Sequence, residues 1–173
     1  MDPIYFALDH AETAADRELY EFLVTFREAR ETSKRPPIFA YSCLEDWLLK
    51  HGTFFTPKNL PSTVRPMGLQ QCYENAWRVA QRTKAYHYVE GFAIGMIPVL
   101  HAWLIDRDGN VIDPTWASRT AGIGSAYMGV ELNLEEVRRS RRAGCYCLTM
   151  DYKRDYPVQQ GVDVFAKDAW FRR

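Results

Sequence analysis

Three residues in the middle of this chain, Cys72, His101 and Asp113, have the types and order that nucleophilic acyl chemistry needs. A thiol attacks a carbonyl as the thiolate, and the positive end of a helix favours that anion. Cys72 sits just inside the start of a helix predicted over Gln71 to Lys84, after the flexible stretch Met67-Gly68-Leu69-Gln70-Gln71. The orphan N–H groups of such a helix start can hold an oxyanion, with Gln70 or Gln71 as a side-chain donor. A base must then take the thiol proton, and a third group must orient that base. His101 and Asp113 fit those two roles, provided the fold brings them together.

Register decides whether they meet. Val99–Ile105 and Val111–Trp116 read as strands, separated by the hairpin signal Asp106-Arg107-Asp108-Gly109-Asn110. A three-residue loop with Gly109 in the left-handed position pairs Asp106 with Asn110. It then sets Trp103 opposite Asp113 and His101 opposite Thr115. His101 and Asp113 become diagonal neighbours on one face, roughly 7–8 Å apart at the backbone, within reach of an imidazole–carboxylate bond. A two-residue loop puts them on opposite faces. Each residue also has a plainer reading. Cysteines are usually small core hydrophobes, His101 lies among apolar residues, and Asp113 before Pro114 suits a turn cap. Their joint order favours a catalytic set.

The remaining elements must position these residues. Ala11 to Glu31 has apolar residues at spacings of three and four and reads as a helix. Pro36-Pro37 ends it. Ser42 with Glu45 suggests a capping box for a short helix ending near His51-Gly52. Residues 53–68, with three prolines, read as loop. Tyr86–Ile97 reads as a further strand, Ser118 to Gly124 as a small-residue loop, and Ala126–Leu132 as another strand. Asn133 caps a helix over Leu134–Arg142. Cys145–Met150 reads as a strand and Asp163–Phe171 as a short helix. The order implies an α+β fold with a helix packed on an antiparallel meander. It implies one domain over 1–173: a helical part to residue 52, a core over 68–117, and a mixed part over 118–173.

The stretch Gln71-Cys72-Tyr73-Glu74-Asn75-Ala76, Glu90-Gly91, His101-Ala102-Trp103 and Asp108 to Thr115 resembles the core of transglutaminase-like proteins. These belong to the papain-like cysteine-enzyme superfamily. In that family a Cys begins the core helix, a His-Ala-Trp-like motif lies on the second following strand, and an Asp-Pro-Thr-like motif on the third. The resemblance implies Cys72 as nucleophile, His101 as general base and acid, and Asp113 as orienter. It spans about residues 68–117. Members include cross-linking enzymes, peptidases, amidases and proteins that have lost activity. The Cys-Tyr-Glu-Asn segment also resembles the helix start of N-terminal glutamine amidohydrolases.

Composition bounds the rest. The chain has 173 residues with 22 basic and 22 acidic side chains, so a nucleic-acid-coating surface is not expected. Hydrophobic residues at 47% exclude wholesale disorder. No apolar run approaches the roughly 20 residues needed to span a bilayer. The first residues, Met1 to Tyr5, show no export signal. Four cysteines are too few for a disulfide scaffold, and a cytoplasmic, reducing setting is expected. Cys145-x-Cys147 lacks a second ligand pair at metal-site spacing, so no metal and no cofactor is expected. Arg138, Arg139, Arg141 and Arg142 form a basic cluster that reads as a solvated helix end or as a contact for an anionic partner. Tyr73 and Trp103 join Gln70 and Gln71 as candidates for the oxyanion site or substrate wall. The expected function is attack on an amide bond through a thioester, by a peptidase, amidase or acyl transferase. The substrate would be a peptide, a protein side-chain amide or a small amide. The alternative is a non-catalytic binding or inhibitor module on the same fold.

Overall fold

A computed structural model of the chain describes residues 10–31, 36–118 and 124–171. The first residues, and most of the loop expected between Ser118 and Gly124, lie outside the described residues. Four α-helices are described: α1 (Ala14–Glu31), α2 (Leu44–His51), α3 (Cys72–Ala80) and α4 (Leu134–Arg142). The strands are β1 (Thr53–Phe55), β2 (His87–Ile94), β3 (Pro98–Ile105), β4 (Val111–Ile112) and β5 (Ala126–Glu131). They form one antiparallel sheet in the order β1-β5-β2-β3-β4. The fold is therefore α+β, as the sequence implies.

Both sheet faces are buried, and side chains alternate between two cores. One core holds Tyr88, Phe92, Ala102, Leu104 and Met128 beneath residues of α1, α2 and α3. The other holds Val89, Ala93, Trp103, Ile105, Val111, Trp116 and Tyr127, with Trp170 and Phe171 against it. Burial on both faces explains why these strands read as nearly continuous apolar runs.

The helices begin where local chemistry allows. Thr13 and Asp16 cap α1 reciprocally: Thr13 Oγ1 accepts from the Asp16 N–H, and Asp16 Oδ2 from the Thr13 N–H. At α2 the cap differs from expectation. Cys43 is the N-cap residue, and Asp46 rather than Glu45 accepts from the Ser42 N–H at 3.0 Å. Helix α3 stops at Ala80, short of Lys84.

Four other expectations are corrected. Residues 53–55 form a strand on β5 instead of loop. Strand β4 ends at Ile112, because Pro114 has no N–H and Asp113 Oδ1 takes the N–H groups of Thr115 and Trp116. Residues 145–150 form no strand. The Leu148 and Thr149 N–H groups bond the buried Glu90 carboxylate at 3.1 and 2.8 Å instead of a ladder. Residues 163–171 form no helix, since the Trp170 and Phe171 N–H groups donate to Glu131 and the Asn133 N–H to the Val164 carbonyl.

The sheet centre depends on glycine. Gly129 pairs with Gly91 on β2. A Cβ at Gly129 would lie 2.6 Å from the Glu90 carbonyl oxygen and 2.7 Å from Trp103 Cη2. Backbone and an indole wedged in a core cannot both yield. Gly129→Ala is expected to cost about 1–3 kcal/mol, read as a lower urea midpoint. An unchanged midpoint would show that Trp103 does not pack against β5 in this way.

Candidate active site

The hairpin closes in the register that joins the candidate residues. Leu104 pairs with Ile112 and Ile105 with Val111, and Asp106 bonds Asn110 across a three-residue loop. Gly109 holds φ 77° in that loop, a left-handed value that glycine takes without strain. Asp106 Oδ1 accepts from the Asp108 and Asn110 N–H groups, which fixes the turn. Beyond Ile112 the chain leaves the sheet, so residues 98–103 of β3 have no strand partner on that side among the described residues. His101 lies in this open stretch.

His101 Nε2 donates to Asp113 Oδ2 at 2.8 Å. Asp113 is fully buried, and three further donors reach it. They are the Thr115 and Trp116 N–H groups at 2.9 and 3.1 Å, and the Tyr127 hydroxyl at 2.9 Å. Burial pushes the Asp113 carboxyl up, but the His101 bond and charge outweigh it with help from these donors, and the carboxyl stays below its ordinary range. Asp113 is thus turn cap and histidine partner at once.

Aromatic rings enclose the pair. The Trp116 ring lies 4.1 Å from the His101 ring at 17°, and Trp103 stacks beyond at 6.2 Å. His101 is 2% exposed. Burial works against the charged imidazole. Hydrogen bonds to Asp113 and Cys72 and the charge of Asp113 override it, and His101 holds its proton up to about pH 9. Since Nε2 is committed to Asp113, Nδ1 is the nitrogen left to face the thiol.

Cys72 is the first residue of α3 and is half-buried. The loop before it is fastened to the turn after Asp113. The Met67 N–H donates to the Pro114 carbonyl at 2.8 Å. Buried Asn75 Nδ2 donates to the Gly68 carbonyl at 2.7 Å and to Thr115 Oγ1 at 3.0 Å. These bonds bring the helix start to the open edge of β3. There Cys72, His101, Thr115 and Trp116 line a cleft of about 380 Å³.

The other candidates divide. Gln70 lines the cleft, with its backbone at φ 61°. Gln71 is the exposed N-cap residue, its side chain caps nothing, and it is not among the cleft-lining residues. Tyr73 turns away toward Cys147 and Glu90, where burial first and these neighbours second raise its hydroxyl well above the ordinary value. Trp103 is fully buried behind His101 and does not reach the cleft.

The arginine cluster is largely paired within the chain. Arg138 and Arg139 bond Glu135 and Glu136 at 2.5 and 2.7 Å. Arg141 bonds Glu74 and lies over Trp77, tying α4 to the helix that carries Cys72. The expected solvated helix end is in part a brace. No group of three or more potential metal ligands exists among the described residues. No helix among them is long and apolar enough to cross a membrane.

Sequence reasoning missed Tyr127 as the fourth donor to Asp113. Its strand carries no turn signal that sets register against β2, so nothing in the chain places Tyr127 near Asp113. Asn75 could have been found as a lone amide among the apolar positions of α3. No protein-family model matches the chain, and neither the curated proteins nor the solved structures give a match.

A pH dependence follows from His101. Its proton is held to about pH 9 in the fold and to about 6.5 in an unfolded chain. The stabilisation this provides is complete below about 6.5 and is lost as pH rises through about 9. The urea midpoint is therefore expected to fall across that window. In Asp113→Asn the fall should shrink, and the ring, followed by NMR, should release its proton at lower pH. Identical profiles for the two proteins would break the assigned ion pair.

Proposed function

We propose that this protein is a cysteine-nucleophile enzyme that acts on an amide or related acyl bond through a thioester. The observation that carries this reading is the cleft in which a helix-start thiol faces an imidazole held by a buried carboxylate. The residues that carry the resemblance to transglutaminase-like proteins are the same three, and we read the chain as having that kind of core. A helix packed on β3 and an Asp-Pro-Thr turn directly after the hairpin support this reading.

In the proposed reaction the proton shared by Cys72 and His101 rests on His101 Nδ1, and the Cys72 thiolate sulfur forms a bond to the carbonyl carbon. The carbonyl π electrons move to oxygen. First-turn N–H groups of α3, whose N-cap residue supplies no side-chain cap, face that oxyanion. Gln70 stands at the same cleft as a further donor. As the tetrahedral centre collapses, the C–N bond breaks and His101 gives its proton to the leaving amine. A thioester on Cys72 remains. Water or an amine then attacks it, losing a proton to His101, which returns that proton to the departing sulfur. Water gives hydrolysis, and an amine gives acyl transfer. A ring that binds a proton as tightly as His101 can hold it between the two half-steps.

The other thiols make an internal control. Burial raises the Cys43, Cys145 and Cys147 thiols above their ordinary value. Limited iodoacetamide at neutral pH, followed by peptide mapping, is expected to modify Cys72 first. Cys72→Ala should cost stability on the order of 1 kcal/mol and remove the burst of nitrophenolate from p-nitrophenyl acetate. Equal alkylation of all four thiols, or a burst retained in Cys72→Ala, would sink the mechanism.

A further inference from the structure

The cleft beside Cys72 has an apolar rim. Met96 is 94% exposed and Ile97 is 65% exposed, on the turn between β2 and β3. Val99 and Leu100 continue the apolar wall from Ile97 to His101. Among the described residues, no Asp, Glu, Lys or Arg lines the cleft. Exposed side chains of this size leave water-ordering surface uncovered, and their gathering at one opening marks a recognition surface. A solvated turn needs no methionine and isoleucine side by side at its tip.

From this rim, and resting on the function proposed above, we infer the substrate class: the acyl donor presents an uncharged, apolar group next to the scissile carbonyl. A charged group there would lose hydration with no partner in the described lining, which disfavours it. The volume, about 380 Å³, is at the low end for ligand sites and suits one large side chain with the reacting bond. The shared chemistry is an apolar acyl group, carried either by a peptide residue or by a simple alkyl chain. Met96 and Ile97 hold it by contact, while Gln70 and the helix start address the carbonyl.

The test uses chloromethyl ketones, in which Cys72 sulfur displaces chloride and forms a C–S bond. N-acetyl-leucine, phenylalanine, glutamate and lysine derivatives are compared by the rate of Cys72 modification in the full chain. The leucine and phenylalanine probes are expected to react at least about tenfold faster than the other two. A simple alkyl chloromethyl ketone separates the sources. A rate equal to the leucine probe assigns recognition to the alkyl group alone, and a slower one adds the peptide amide. Met96→Glu with Ile97→Glu should shrink the leucine-to-lysine ratio. Equal rates for all four amino-acid probes, or a ratio unmoved in the double variant, would overturn the inference. The proposed enzyme would still stand in that case, provided iodoacetamide selects Cys72. Loss of that selectivity is the separate result that removes the enzyme itself.

Discussion

A buried carboxylate with no room for water must find all its partners in the protein, and Asp113 imposes that constraint here. Leaving such a charge unpaired costs far more than any one bond gains. Four donors meet it: two backbone N–H groups from the turn it begins, one imidazole and one phenol. Each donor fixes a different part of the molecule. The backbone donors end β4 and bend the chain into the Trp116–Ser118 turn. The imidazole is set in one orientation. Tyr127, which also accepts from the Gly124 N–H at 2.9 Å, ties in the start of β5.

The early end of β4 has a further effect. A longer β4 would cover the edge of β3 at His101, and the helix start could not approach. With the edge open, the Asp-Pro-Thr turn takes up the space and supplies anchors for the other side. Pro114 offers its carbonyl to Met67, and Thr115 its hydroxyl to Asn75. The link between the loop before Cys72 and the turn after Asp113 therefore does not rely on general packing alone. From its far side, Arg141 braces α3 through Glu74, so the helix is held at both its site end and its outer face. This division of labour explains why an arginine-rich helix far along the chain touches the machinery around Cys72 at all.

The sequence was most legible where one residue settles a geometry. Gly109 narrowed the hairpin to two loops, and the three-residue loop that the structure adopts puts His101 and Asp113 on one face. Asn133 and the acidic start of α4 were equally readable, and the Asn133 side chain does accept from the Glu135 N–H. Reading failed where a carboxylate distant in the chain replaces a ladder. Glu90 satisfies residues 148–149, and Glu131 satisfies residues 170–171, so two segments with strand or helix composition adopt neither form. No local pattern encodes such partners. Strand β1 failed for a different reason. It is three residues long, sits among prolines, and owes its pairing to β5, which follows far later. Tyr73 and Trp103 share a face or a neighbourhood with the site residues in sequence, yet packing sends one behind α3 and the other behind the imidazole.

The arrangement also reconciles two opposed demands. Asp113 and His101 gain strength from a dry setting, because charges interact more strongly away from water. A reactive thiol must instead be reachable. The imidazole separates these demands, since its two nitrogens point in different directions. Nε2 faces the interior, where Trp103, Trp116 and Tyr127 exclude water from the carboxylate. Nδ1 faces the cleft, where Cys72 is half-exposed. Aromatic stacking on the His101 ring keeps it from rotating and exchanging these faces. In the proposed chemistry a substrate would thus meet sulfur and Nδ1 and never the carboxylate. Asp113 can act on the reaction only through the ring it holds.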